Sequence, residues 1–148
     1  MGTHDVAVSG TVPLEPHRAF DLFTVGIGEW WRDYWNDERA TGIRFEDQGP
    51  KGRLIELWGD EGQFEIGRVT AWRTGRELAF TWREAGWPAG ESTDVAISFE
   101  PSDGGTQVTL GHRGWGGLSE PNAGEGYDSG WEELLGWYAQ AAAARGTG

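Results

Sequence analysis

A chain of 148 residues has the length of one ordinary domain, long enough to bury a real core and too short for a second one. Its hydrophobic content of 37% is modest, yet 10 Trp and 6 Phe carry large apolar surfaces, so the core is expected to be aromatic. The absence of cysteine excludes disulfides, thiolate catalysis and thiolate-rich zinc sites, and a formal charge of −12 repels phosphate backbones, which removes nucleic acid from the expected partners.

The N-terminal residues Met1 to Asp5 are polar and lack the basic-then-apolar layout of a signal peptide, and no later stretch approaches membrane-spanning length. A cytoplasmic domain without membrane insertion is the expectation. Over residues 5–12 alternating, partly β-branched residues predict a first strand. Pro13 and Pro16 break it, and Pro16 stands near the first turn of a short helix that carries Ala19, Phe20 and Phe23 on one side and ends by Gly26 or Gly28. Trp30, Trp31, Tyr34 and Trp35 follow, an aromatic density that must pack on something.

From residue 43 to 114 the chain reads as strands at 43–48, 53–58, 63–73, 77–83, 93–100 and 106–113, separated by short segments rich in Gly, Pro, Asp and Ser. Connections this short predict an antiparallel meander. In the last three strands Leu78, Phe80 and Trp82, then Val95, Ile97 and Phe99, then Val108, Leu110 and His112 share one face. The final segment repeats Trp131, Leu134, Leu135, Tyr138 and Ala142 at helical spacing, with Asp128 or Ser129 as the expected cap. This predicts an α+β chain in which one long C-terminal helix covers a sheet of six or seven strands. Residues 114–126 hold five glycines and no apolar period, so a long mobile loop is expected before the helix.

The candidate chemistry is sparse. His4, His17 and His112 show no paired ligand spacing, so no metal and no cofactor is expected. The segment from Gly111 to Gly117 lacks the Lys and Ser/Thr of a phosphate loop and does not open a helix. Strand parity turns His112 inward beside Val108 and Leu110, either as a core-edge histidine with hydrogen-bond partners or as a polar handle in a pocket. No nucleophile motif accompanies it, so no catalytic residue is assigned. Trp35, Trp87 and Trp115 fall in loops, at a pocket rim or packed on the surface.

Several local patterns, in this order, are similar to one family: Val12-Pro13 before Ala19-Phe20, then Trp30-Trp31, Gly67-Arg68-Val69, and the run Glu77 to Trp82. The run Gly105 to Leu110 with His112-Arg113-Gly114, and Gly130-Trp131 above Leu134 and Leu135, complete the set. The chain thereby resembles the START-like, SRPBCC superfamily, and within it the branch named after the activator of the heat-shock chaperone ATPase. The resemblance implies the helix-grip fold, a curved antiparallel sheet wrapped around a long C-terminal helix, as a single domain over residues 1–148. It also implies a cavity between sheet and helix for a hydrophobic or amphipathic small molecule. The expected ligand-binding residues are Trp31, Trp58, Phe80, Trp82, Ile97, Leu110, His112, Trp131 and Tyr138. Binding without catalysis is the first reading; an enzyme acting on a hydrophobic molecule and a stress-related domain for a protein partner are the alternatives. Because the chain starts within residues of its first strand, it is not expected to act alone as a full co-chaperone.

Overall fold

A computed structural model describes residues 5–120 and 122–146, so His4 lies outside the described residues. Strand β1 (Val6–Val12) is followed by helix α1 (Pro16–Thr24), and strands β2 (Gly42–Glu46), β3 (Arg53–Leu57), β4 (Gln63–Arg73), β5 (Glu77–Trp82), β6 (Thr93–Ser102) and β7 (Gly105–Arg113) lead to helix α2 (Tyr127–Gly146). The strands form one seven-stranded antiparallel sheet in the order β1-β7-β6-β5-β4-β3-β2. From β3 to β7 each strand pairs with its predecessor, as short connections require. The long step runs from β1 at one edge to β2 at the other, and α1 with the Trp-rich segment carries it.

Local chemistry starts α1 cleanly. The Glu15 carboxylate accepts from the backbone N–H of Arg18 at 2.9 Å and of His17 at 3.2 Å, while Pro16 takes a first-turn place where its missing N–H costs nothing. Ala19, Phe20, Leu22 and Phe23 are buried, so the predicted apolar side faces inward.

Curvature comes from β4. Its register shifts once against β3, beside Leu54 and Ile55, and again against β5, between Val69 and Ala71. Each bulge bends and twists the strand locally, and two on one strand of 11 residues turn the sheet around what it covers. Gly67 lies between them, where a Cβ would stand 1.6 Å from the carbonyl oxygen of Thr81. Only glycine permits that approach.

The concave face carries the core. Pairing aligns Phe80, Val95, His112 and Val6 across β5, β6, β7 and β1, and Leu78, Ile97 and Leu110 form the next row. All of these are buried, as the alternation predicts. Trp131, Leu134, Leu135, Tyr138 and Ala142 of α2 are buried as well. Between the helices, Tyr138 donates its hydroxyl proton to the Ala19 carbonyl at 2.7 Å and meets Phe23 and Trp30 at 5.2 Å between ring centres.

The expected helix cap needs correction. Helix α2 starts at Tyr127, so Asp128 and Ser129 sit inside its first turn; Gly126, at a φ of 85°, turns the chain into the helix, and its carbonyl accepts from Gly130 N–H at 3.0 Å. Among the described residues of 114–126, side chains make anchoring contacts that the glycine content conceals. Trp115 opens a short 3-10 turn and is only 2% exposed, and the Glu91 carboxylate holds both the N–H and the hydroxyl of Ser119.

Replacing Gly67 by Ala forces a methyl group into the β4–β5 backbone contact. The expected loss is about 1–3 kcal/mol or more of unfolding free energy, read from denaturant midpoints. A midpoint equal to wild type would show that the two strands do not approach as described.

Candidate functional site

The sheet and α2 close tightly over most of their length and part at one end. There, beyond the end of β5, a cavity of about 380 Å³ opens between the 34–36 segment, the residues following β5 and the first two turns of α2. Tyr34, Trp35, Trp82, Tyr127 and Trp131 supply its aromatic walls, Leu134 and the backbone of Gly86, Gly126 and Gly130 the rest of its apolar surface, and Asn36, Glu84 and Glu125 its polar groups.

The Trp-rich segment forms one wall because of how it turns. Asp33 adopts a φ of 65°, a conformation that Asp tolerates better than most residues, and the chain reverses so that Trp31 points into the core while Tyr34 and Trp35 face the cavity. Trp31 Nε1 donates to the Tyr34 carbonyl at 3.1 Å and fixes the reversal. The Tyr34 hydroxyl donates to Glu133 on α2 at 2.6 Å, and this bond, which favours the neutral phenol, raises the Tyr34 pKa.

Asn36 is held from beneath by Glu56, whose side chain is 0% exposed. The carboxylate accepts the backbone N–H of Asn36 at 2.9 and 3.0 Å, its side-chain amide at 3.1 Å and the Trp58 indole N–H at 2.8 Å. Asn36 Oδ1 in turn accepts from Ala85 N–H at 2.8 Å, so one side chain ties the 34–36 wall to the residues that follow β5.

Helix α2 is anchored at the other wall through His112, also 0% exposed. Trp131 Nε1 donates to His112 Nδ1 at 3.0 Å, and an indole N–H has no other role to play, so the imidazole proton lies on Nε2. From there it is donated to Thr93 Oγ1 at 2.7 Å, and Thr93 passes its own proton to the Trp82 carbonyl at 3.3 Å. The rings of Trp115 and Tyr127 lie 4.3 and 5.1 Å from the imidazole centre. Burial holds the His112 pKa down at about 3, so the ring is neutral.

A second chain of hydrogen bonds runs along the cavity surface. Trp82 Nε1 donates to the Tyr127 hydroxyl at 2.9 Å, and that hydroxyl donates to Glu84. Burial first, then the bond to Glu84, raises the Tyr127 pKa, so the phenol stays protonated.

Of the residues expected to bind ligand, Trp82 and Trp131 line this cavity. Trp31 lies directly behind them, 6.1 and 5.8 Å from their ring centres. Phe80, Ile97, Leu110, His112 and Tyr138 are close-packed in the core beneath, and Trp58 stacks on Phe64 at 6.2 Å, outside the lining. Of the loop tryptophans Trp35 stands at the cavity, Trp87 packs edge-on against Trp115 at 6.2 Å, and Trp115 itself is core. The residues that sequence reasoning missed are Tyr34, Asn36, Glu84, Glu125 and Tyr127. The dense aromatics of 30–35 were the one available signal.

Fold and cavity together define a helix-grip protein with a pocket at the N-terminal end of its long helix. The chain belongs to the family described as Activator of Hsp90 ATPase homolog 1-like protein, whose model matches residues 14–140. Among solved structures it is similar to a protein from Chromobacterium violaceum at 16% identity and a TM-score of 0.66, covering 93% of this chain and 96% of that one. It is also similar to the AHSA1 protein from Silicibacter pomeroyi, at 17% identity and a TM-score of 0.65, covering 93% and 96%. A third, titled an anthrahydroquino-gamma-pyrone synthase, Txn09, complexed with SUM, shares 22% identity and a TM-score of 0.59 over 92% of this chain and 95% of that one. No curated protein matches the sequence significantly.

The neutral His112 makes stability depend on pH. An unfolded chain protonates this imidazole near 6.5 and the folded one near 3, so between these values the unfolded state holds more protons and stability rises with pH, levelling above 6.5. In His112→Gln this contribution is absent. The stability difference between wild type and variant should therefore grow by up to about 1.4 kcal/mol per pH unit in the acid part of that window. Parallel curves would mean that the folded imidazole takes up its proton normally.

Proposed function

We propose that this protein binds one small amphipathic molecule with a flat apolar body in the cavity at the N-terminal end of α2. The observation that carries this reading is the lining itself. Five aromatic side chains, Tyr34, Trp35, Trp82, Tyr127 and Trp131, meet a few polar groups around about 380 Å³, a size and composition typical of small-molecule sites. The fold commonly serves to bind hydrophobic ligands, which supports the same reading. We propose the cytoplasm as the compartment of this binding, which the lack of cysteine suits. Among the described residues no helix is long and apolar enough to cross a membrane.

Gly130 offers a direct test. It lines the cavity from within α2, and a Cβ there would make ordinary contact with the Tyr34 ring at 3.5 Å. Gly130→Leu should fill the space while favouring the helix, and should weaken quenching of tryptophan fluorescence by flat hydrophobic ligands about tenfold or more. Native mass spectrometry of protein from its own host should show a bound compound that this variant lacks. If no compound co-purifies and none of a hydrophobic panel quenches the wild type, the reading fails.

A second reading, turnover of the bound molecule, draws on the hydrogen-bonded pair of Tyr127 and Glu84 at the cavity surface and on the likeness to one structural neighbour that is a synthase. Under it, Tyr127→Phe should abolish turnover in a substrate screen while binding persists. Retained turnover in that variant would leave the pair without a chemical role.

A further inference from the structure

We propose that the cavity selects a cation: a small molecule with a flat apolar body and a protonated amine, the amine held by Glu84 and Glu125 and the body against Trp82 and Trp131. This rests on the binding function proposed above and adds the sign of the ligand's charge. The lining contains two carboxylates, and among the described residues no Lys, Arg or His belongs to it.

The hydrogen-bond inventory points the same way. The indole N–H of Trp82 is donated to Tyr127, that of Trp131 to His112, the Tyr34 hydroxyl to Glu133 and the Tyr127 hydroxyl to Glu84. The carbonyl of the Asn36 side chain is taken by Ala85, and its amide serves Glu56. These donors are spent inside the protein, whereas the indole N–H of Trp35 is a lining donor without a hydrogen-bond partner among the described residues. Acceptors are left over: Tyr127 engages one oxygen of Glu84, and among the described residues neither Glu84 Oε1 nor the Glu125 carboxylate has a hydrogen-bond or ion-pair partner. A ligand that donates would complete this set, and a protonated amine donates several bonds and cancels charge at once. The surrounding ring faces add cation–π attraction.

One feature of the site opposes this. The N-terminus of α2 opens on the same cavity, and a helix N-terminus carries a partial charge of roughly +0.5, which favours anions. Two full negative charges outweigh it, and Asp128 in the first turn offsets it further. At longer range the formal charge of −12 draws cations towards the protein and repels anions.

Calorimetry of the full chain with naphthylmethylamine, naphthylmethanol and naphthoate at neutral pH separates charge from shape. The amine should bind about tenfold or more tightly than the alcohol, the carboxylate most weakly, and the amine's advantage should shrink with added salt. In the Glu84→Gln, Glu125→Gln double variant the ratio of amine to alcohol affinity should fall towards one, because the amide of Gln at position 84 still accepts from Tyr127 and preserves the wall. Equal binding of amine and alcohol, tighter binding of the carboxylate, or an amine preference that survives the double substitution would overturn the cation proposal while leaving the binding site intact. If none of the three binds, the binding function falls and the charge preference with it.

Discussion

An indole N–H can only donate, so the bond from Trp131 to Nδ1 of His112 determines where the imidazole keeps its proton, and the rest of the molecule's open end follows from that. With the proton on Nε2, Thr93 is the acceptor, and its own hydroxyl must turn to the Trp82 carbonyl. One neutral ring thereby joins β7, β6, the end of β5 and α2 in a fully buried setting where both ring nitrogens and the Thr93 hydroxyl have partners. A charged imidazole would need a second acceptor, and Trp131 cannot be one. The same ring sets the positions of two cavity residues: Trp131 through its N–H, and Trp82 through the hydroxyl that its carbonyl receives.

Packing explains why the cavity lies at the end of the sheet and not beneath its middle. Under the middle of α2, Tyr138 meets Phe23 and Trp30 edge to face, and Phe20 and Phe99 extend the cluster at 5.3 Å. Helix α1 supplies two of these rings, Phe20 and Phe23, and it occupies the space that a curved sheet would otherwise leave beneath a single long helix. Its influence ends near Trp30. Beyond that point the chain leaves β5 at Arg83, and among the described residues the sheet is represented by Trp82 alone and no element replaces α1 between the 34–36 segment and the first turns of α2.

This geometry accounts for what could and could not be read from the sequence. The fold was legible because its signals are local and periodic: alternation through Leu78, Phe80 and Trp82, helical spacing through Trp131, Leu135 and Tyr138, and turn residues between short strands. Trp82 and Trp131 were legible as inward-facing for the same reason. Periodicity identifies which side chains face the core, but not whether a core position touches a neighbour or a void, so Phe80, Ile97 and Leu110 look like wall residues on the sequence and are close-packed in the structure. Tyr34, Asn36 and Glu84 lie in segments without a period, and Tyr127 stands one turn before Trp131, ahead of the cap that the sequence suggests for the helix. Their placement depends on long-range partners such as Glu133 and Glu56, a separation of 99 residues in the case of Tyr34.

Glu56 and His112 form a pair of unlike solutions to one problem. Burying a charged or polar group costs free energy unless its hydrogen bonds are replaced, and both residues are fully buried without an opposite charge beside them among the described residues. His112 avoids the cost by remaining neutral and bonding at both nitrogens. Glu56 meets it with donors alone: the backbone and amide of Asn36, and the indole of Trp58. Each therefore fixes one wall, Glu56 the 34–36 segment and His112 the start of α2, without placing its own side chain in the cavity. Removing either would leave its partners' polar groups unpaired in a dry interior, and that penalty resists movement of the walls. The cavity is consequently preformed, and an entering molecule has little ordering of its walls to supply, which is the condition under which a small site binds well.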